Sequence, residues 1–280
     1  MNPFERFGGQ FKLAGNVTLD ACPVCGSTEI AELWRLPQNR LSGTTHLSAP
    51  GTKMDKLYLQ YLPLLQTPQE IYRFDICGQC ESIFLNPKHD DQATYLNDTS
   101  KVRSFVKNGP DEFASWSRRF VDMLPKDTRL VIDAACGAGQ VLWLMRELRP
   151  DLRYLGLELS EPSVRFMRDD LGLEAHQADL DRDDLDGVVA PGTADFIVVQ
   201  EAYEHVRSPI VLMKKMARML RPGGRLWLTA QYWGDNELQI RVGEPIYIND
   251  VGFDYTLEQC GLKLVSLKKD IKIRALLEKP

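Results

Sequence analysis

The chain has no apolar run approaching the roughly 18 residues that a membrane span needs, so no membrane association is expected. Its first residues, "MNPFERFGGQFKLAG", lack the charged-then-apolar layout of a secretory leader, and a cytoplasmic setting is the expectation. A cationic surplus is missing too: Lys and Arg number 34 against 39 Asp and Glu, for a net charge of −5. Residues 1–110 are neutral by themselves, so the acidic excess lies in the remainder. Nucleic-acid binders usually carry a cationic stripe that releases counterions from phosphate, and its absence argues against such a partner. Internal repeats and low-complexity segments are also absent. What is present is ordinary globular composition, 44% hydrophobic and 26% charged over 280 residues. That length buries a full α/β domain plus a smaller module.

Six cysteines stand at 22, 25, 77, 80, 136 and 260, and the first four form two C-x-x-C pairs, "CPVCGST" and "CGQC". In a chain without a leader, paired C-x-x-C points to a metal before a disulfide. Cys22, Cys25, Cys77 and Cys80 are therefore the expected ligands of a tetrahedral structural zinc. A closed four-sulfur shell leaves no position for a reactive water, so its role is structural. The 51 residues between Cys25 and Cys77 exceed a compact ribbon and predict an inserted segment, helical around "KMDKLYLQYLPLL". With four sulfurs available, His46 and His89 are not needed as ligands.

The pattern divides into a zinc-ribbon-like module with its insertion over 1–95, a linker and first helix over 96–125, and an α/β domain over 126–280. In the α/β region strands are expected at 129–135, 152–159, 174–178, 194–200 and 225–231, with helices at 139–149, 161–171 and 208–220. An amphipathic helix in "DEFASWSRRFVDMLP" closes at Pro125. Alternation of this kind predicts a doubly wound parallel sheet. The tail, "LKLVSLKKDIKIRALLEK", predicts two strands joined by a tight turn at Lys269 and Asp270, an antiparallel hairpin at the sheet edge.

Within that frame "VIDAACGAGQVLWLM" reads as a buried strand, a turn with Gly137 and Gly139, and a helix whose free N–H groups can meet an anionic ligand. "YLGLELS" ends its strand in Glu158, 19 residues beyond Gly139, where a carboxylate can accept both hydroxyls of a ribose. That spacing alone suits a dehydrogenase equally well. "HQADL" sets Asp179 at the next strand end, "ADFIVVQEAYEHVRSP" supplies a fourth strand ending at Gln200, and "RPGG" precedes a fifth.

The order of these motifs over about 111–280 resembles the class I S-adenosylmethionine (SAM)-dependent methyltransferases, whose fold is Rossmann-like with a C-terminal antiparallel hairpin. The resemblance implies that Asp133, Ala135, Gly137 and Gly139 contact the methionine part of SAM and that Glu158, with Leu159, takes the ribose. It further implies that Asp179 and Leu180 flank the adenine, and that Gln200 borders the methionine end. Ala135 departs from the family, which usually has glycine there; an unstrained strand end accepts the methyl group. With the N-terminal cysteines, the chain resembles bacterial methyltransferases of sugar, polysaccharide or secondary-metabolite pathways, which implies a small-molecule or sugar acceptor. Another zinc-plus-methyltransferase arrangement modifies guanine in ribosomal RNA, and a non-catalytic scaffold is a third reading. Candidate bases for removing an acceptor proton are Tyr203, Glu204, His205 and Tyr232, although the histidine of such "EHV" runs often only packs or caps. Tyr232 and Trp233 either wall an acceptor pocket or pack in a core. Met213, Met216 and Met219 are expected in the core. Oligomeric state is not legible.

Overall fold

The computed structural model describes residues 16–37, 45–47, 57–60, 71–89, 95–110, 113–234, 238–241 and 244–280. In chain order the strands begin with β1 (Asn16–Val17), β2 (Ile30–Pro37), β3 (Thr45–Leu47), β4 (Leu57–Gln60), β5 (Ile71–Cys77), β6 (Ile83–Leu85) and β7 (Lys88–His89). They continue with β8 (Leu130–Ala134), β9 (Arg153–Glu158), β10 (Glu174–Gln177), β11 (Ala194–Val199) and β12 (Leu220–Gln231). The last are β13 (Leu238–Arg241), β14 (Ile246–Tyr247), β15 (Lys263–Lys269) and β16 (Lys272–Glu278). The helices are α1 (Ser100–Asn108), α2 (Ala114–Met123), α3 (Gln140–Leu148), α4 (Glu161–Asp169), α5 (Pro209–Met219) and α6 (Asp250–Cys260). No helix among the described residues is long and apolar enough to cross a membrane.

Two compact units emerge: Met1–Thr94 with Gln231–Phe253, and Tyr95–Ala230 with Asp254–Pro280. The sequence pattern suggests one continuous stretch from 126 to 280, yet residues 231–253 group with the first unit.

The second unit is built on a seven-stranded sheet of order β10-β9-β8-β11-β12-β16-β15. β10 to β12 are mutually parallel in that order, and β15 and β16 form the expected antiparallel hairpin. β8 and β11 are buried on both faces, which explains why they are apolar but for one acid each, Asp133 and Asp195. From β8 the chain winds outward through β9 and β10, then returns to β11 on the other side of β8. Right-handed crossovers in opposite directions put α3 and α4 on one face and α5 on the other. Phe120, Val131, Leu142, Met145, Phe196 and Trp227 form the core, and Met213, Met216 and Met219 are buried as their spacing predicts. The order reverses between β8 and β11, and sheets of this kind bind ligands at the carboxyl ends of the strands flanking such a reversal. Pairing of β11 with β12 jumps from Ala194↔Leu220 to Phe196↔Arg225, and the RPGG turn occupies that jump.

At the opposite end of the sheet, buried Asp195 accepts from the backbone N–H groups of Arg129 and Leu130, each at 2.8 Å, and pairs with Arg221. Burial alone would raise Asp195, but the Arg221 guanidinium and the two N–H donors outweigh it and hold the carboxyl below its ordinary range. An acid lowered on folding adds stability above its unfolded pKa and loses it as pH falls through the folded one. Asp195→Ala, which strands the start of β8 and Arg221, should destabilise the second unit by about 3 kcal/mol in denaturant melts.

The first unit holds a four-stranded sheet of order β14-β6-β5-β2, a three-stranded sheet β13-β4-β3 and the pair β1-β7. The helix expected around 53–65 is not borne out over Leu57–Gln60, which forms β4 between β3 and β13. Leu-Tyr-Leu fits a pleated strand as well as a helix turn, and pairing decides between them. The remainder of that insertion lies outside the described residues. Two helices carried start signals that periodicity passed over: α1 follows "NDTS", and α6 runs from a capping Asn249 to Gly261.

Candidate functional site

The turn that follows β8 comes first at the carboxyl ends of the second unit's central strands. Ala135 N–H and Cys136 N–H both donate to Leu157 O, at 2.8 and 3.3 Å, pinning the turn to the end of β9. Ala135 has φ 62°, in the left-handed region. The expectation of an unstrained strand end is therefore corrected: a Cβ in that conformation costs roughly 1–2 kcal/mol. Gly139 has φ 79° and caps α3; a Cβ there would stand 2.8 Å from Met167 Sδ, so no larger residue fits. The turn thus keeps its backbone N–H groups at the mouth of α3, close to whatever binds.

Glu158 stands at the tip of β9, and its carboxylate accepts from Gly137 N–H at 2.8 Å and Ser160 N–H at 2.9 Å. Each carboxylate oxygen has a second lone pair, so both can also accept from a diol. Burial raises Glu158, opposed by the Ser160, Gly137 and Leu159 N–H groups and by the charge of Lys101. Neighbouring Asp133 is buried, and burial, with the Glu158 charge adding, pushes it up to about 8. Two acids crowded in low dielectric call for a cation, and the α-ammonium of an amino acid would serve.

Between the unfolded carboxyl range and about 8, folded Asp133 holds a proton that the unfolded chain has lost, so stability falls as pH rises through that window. Asp133→Asn should therefore raise the melting temperature of the ligand-free protein, more at pH 8 than at pH 5. A melting difference that does not grow with pH would contradict the burial of this carboxylate.

The remaining sequence candidates are distributed as follows. Gln200 extends from β11, and its buried Oε1 has no donor among the described residues, which leaves an acceptor for a ligand. Asp179 turns its Oδ1 back onto Asp181 N–H at 3.0 Å and Arg182 N–H at 3.3 Å, serving its own turn. Leu159 is half-buried and Leu180 buried at the same strand ends. His205 is half-buried, with its ring edge-on to Tyr95 at 6.2 Å. Tyr203 is fully buried and its hydroxyl shares a hydrogen bond with Thr256 Oγ1 at 3.1 Å, a core position that removes it as an acceptor-side base. Tyr232 belongs to the first unit and donates to Asp250 Oδ1 at 3.2 Å.

Two residues escaped the sequence reading. Lys101 of α1 lies against Gly137, where a Cβ would meet its Cγ at 3.6 Å. Glu201 follows Gln200 with φ 54°, its N–H donating to Thr229 Oγ1 at 2.8 Å and its carboxylate paired with Lys272. Ala135 and Glu201 thus place left-handed non-glycine residues just past the ends of adjacent strands β8 and β11, the kind of strain that gathers at binding sites. Nothing in the local sequence marks it.

The second constellation lies in the first unit. One atom from each of Cys22, Cys25, Cys77 and Cys80 falls within 4.8 Å of the others, with Cys22–Cys80 sulfurs 3.6 Å apart and Cys25–Cys77 sulfurs 3.5 Å apart. A tetrahedral zinc with Zn–S near 2.3 Å spaces its sulfurs by about 3.8 Å, so the donor set fits that ion. Both pairs ride on matching turns: Gly26 N–H donates to Cys22 O and Glu81 N–H to Cys77 O. N–H groups of Gln79 and Cys80 approach Cys77 Sγ at 3.4 and 3.5 Å, the partners a thiolate needs. Burial raises Cys25 to about 12, while the hydrogen bond from Cys22 lowers Cys80 to about 5. Four ionised thiolates can share this space only around a cation. The side chains of His46 and His89 lie outside the described residues.

Residues 132–226 match the family model described as a methyltransferase domain. A tRNA U34 carboxymethyltransferase from Hydrogenovibrio crunogenus is 28% identical over 238 residues, covering 74% of this chain and 70% of that protein. A demethylmenaquinone methyltransferase from Thermus thermophilus is 27% identical over 115 residues, 40% of this chain, and the match spans about half, 51%, of its length. A solved SAM dependent methyltransferase from Aquifex aeolicus is similar over 65% of this chain and 100% of its own, at 13% identity and a TM-score of 0.49.

Proposed function

We propose that the chain transfers a methyl group from SAM to a small-molecule or carbohydrate acceptor, with zinc held structurally by Cys22, Cys25, Cys77 and Cys80. The observation that carries the reading is Glu158 at the tip of β9, hydrogen-bonded to the Gly137 turn beside buried Asp133. Bound SAM supplies an electrophilic methyl group on a sulfonium. Glu158 would accept from the two ribose hydroxyls, Asp133 and the turn's N–H groups would meet the amino-acid end, and Gln200 Oε1 would take a donor there. Held by these residues, SAM would present its methyl group for in-line transfer to an acceptor, and the chain's own contribution would be that alignment. His205 is the group proposed to take the acceptor's proton. Tyr232 is the alternative base, and Tyr203 is dropped.

Calorimetric titration with SAM and with its demethylated product tests cofactor binding, and silence with both would end the proposal. A labelled-methyl screen over sugar nucleotides, quinols and tRNA tests the acceptor. A second reading, methylation of RNA, is favoured by the likeness to a protein named for tRNA U34. Against it stands the net charge of −5. Label recovered on tRNA, with binding that weakens steeply in salt, would establish it over the first. Tight SAM binding without transfer to any of the three would favour a scaffold.

A further inference from the structure

Glu81 follows the last knuckle cysteine and holds φ 56°, a conformation that a non-glycine residue keeps only where its surroundings impose it. It accepts two hydrogen bonds from residues far along the chain. Its carboxylate takes Asn249 Nδ2 at 2.7 Å, and its main-chain carbonyl takes the indole N–H of Trp233 at 3.1 Å. Asn249 is buried, and its Oδ1 accepts from Gly252 N–H at 3.1 Å, so the amide that caps α6 is oriented from its other side by Glu81. The same few residues after Cys80 carry further ties to this segment. Ile246 pairs with Phe84 and Tyr247 with Ile83, and Leu85 N–H donates to Pro245 O at 2.8 Å. Gly252 lies so near the knuckle that a Cβ would stand 2.8 Å from Ser82 Oγ. Within the segment, Trp233 N–H donates to Ile248 O and Ile248 N–H to Gln231 O, each at 3.0 Å. Both ends of 231–253 are thus gathered onto the stretch 81–85.

We propose that Glu81 is a positioning residue that clamps the 231–253 segment through Asn249 and Trp233, holding Tyr232 and Trp233 in one arrangement for acceptor recognition. This rests on the reading of those two aromatics as acceptor-side groups. Two donors sixteen residues apart converge on one residue, so the clamp closes the segment into a loop rather than fastening one end. Its carboxylate bond is charge-assisted, which makes it stronger than the neutral bonds around it.

Amide hydrogen exchange on the full chain tests this, comparing the natural protein with Glu81→Ala and Glu81→Gln while metal content and SAM affinity are measured on the same samples. Glu81→Ala should speed exchange at the Trp233 and Ile248 amides by about tenfold or more. Glu81→Gln, whose side-chain oxygen still accepts from Asn249, should restore most of the protection. Metal content and SAM affinity should remain within twofold of the natural protein in both. Natural-level protection in Glu81→Ala would overturn the clamp. So would acceleration spread evenly through the first unit with loss of metal, since that marks general stability. Should the natural protein fail to bind SAM, the methyltransferase proposal falls, while the exchange pattern at 233 and 248 still decides the clamp.

Discussion

Replacing Glu158 with alanine is expected to weaken SAM binding by at least a hundredfold while the fold survives. The carboxylate would accept from two ribose hydroxyls, and hydrogen bonds to a charged group contribute roughly 1.5–3 kcal/mol each, or about a hundredfold or more together. Alanine also removes the acceptor that holds Gly137 N–H at 2.8 Å, so the turn that faces the amino-acid end loses a tether. Both losses act on the ligand-binding state. The ligand-free fold gains little from this acid, because burial already raises it. Glu158→Gln keeps the size and one acceptor oxygen and should fall between the natural protein and alanine. Isothermal titration with SAM, alongside circular dichroism and melting, reads both halves of the expectation. Unchanged affinity in the alanine variant would mean that the cofactor lies elsewhere.

The second large effect is expected at the thiol cluster. Cys77→Ser should drop bound zinc from about one per chain to a small fraction, because a serine hydroxyl does not replace a thiolate in a tetrahedral sulfur shell. Structural zinc contributes on the order of 10–16 kcal/mol to folding in small metal modules, more than a unit of this size holds in reserve. The first unit should therefore lose its cooperative melt, and the second should keep its own. The effect should reach past residue 230, because Cys77 ends β5 and β5 carries β6, on which β14 is laid. Elemental analysis and calorimetry check the expectation; full zinc retention with unaltered melting would remove the four-thiolate site.

The parts of this molecule that the sequence discloses share a physical trait: their signals are local. Glu158 is legible because a strand pattern ends on it at a fixed distance from the glycine turn. The cysteines are legible because C-x-x-C puts two sulfurs on one turn, and the tail hairpin because two apolar runs flank Lys269-Asp270. What escapes is set by pairing across long separations. Ile246 meets Phe84, and nothing in "EPIYIND" says which partner the strand takes. The helical reading fails over "LYLQ" for the same reason, since β4 is stabilised by neighbours on both sides. Ala135 shows a subtler gap. Its identity is plain, but its left-handed backbone follows from two hydrogen bonds to Leu157 O that only the sheet can arrange. Asp195 likewise looks like a surface acid at a strand start until Arg221 and the β8 amides close around it.

The interleaved makeup of the first unit bears on how a ribosome delivers it. Strands β2, β5 and β6 emerge early, but the strand that completes their sheet is Ile246–Tyr247, and five of the seven strands of the second unit's sheet, β8 to β12, are translated in between. Until then β6 presents an unsatisfied edge to solvent and to other nascent chains, a surface that chaperones recognise and that aggregation exploits. Metal uptake by the early cysteines would be what keeps that waiting edge from wandering during the interval.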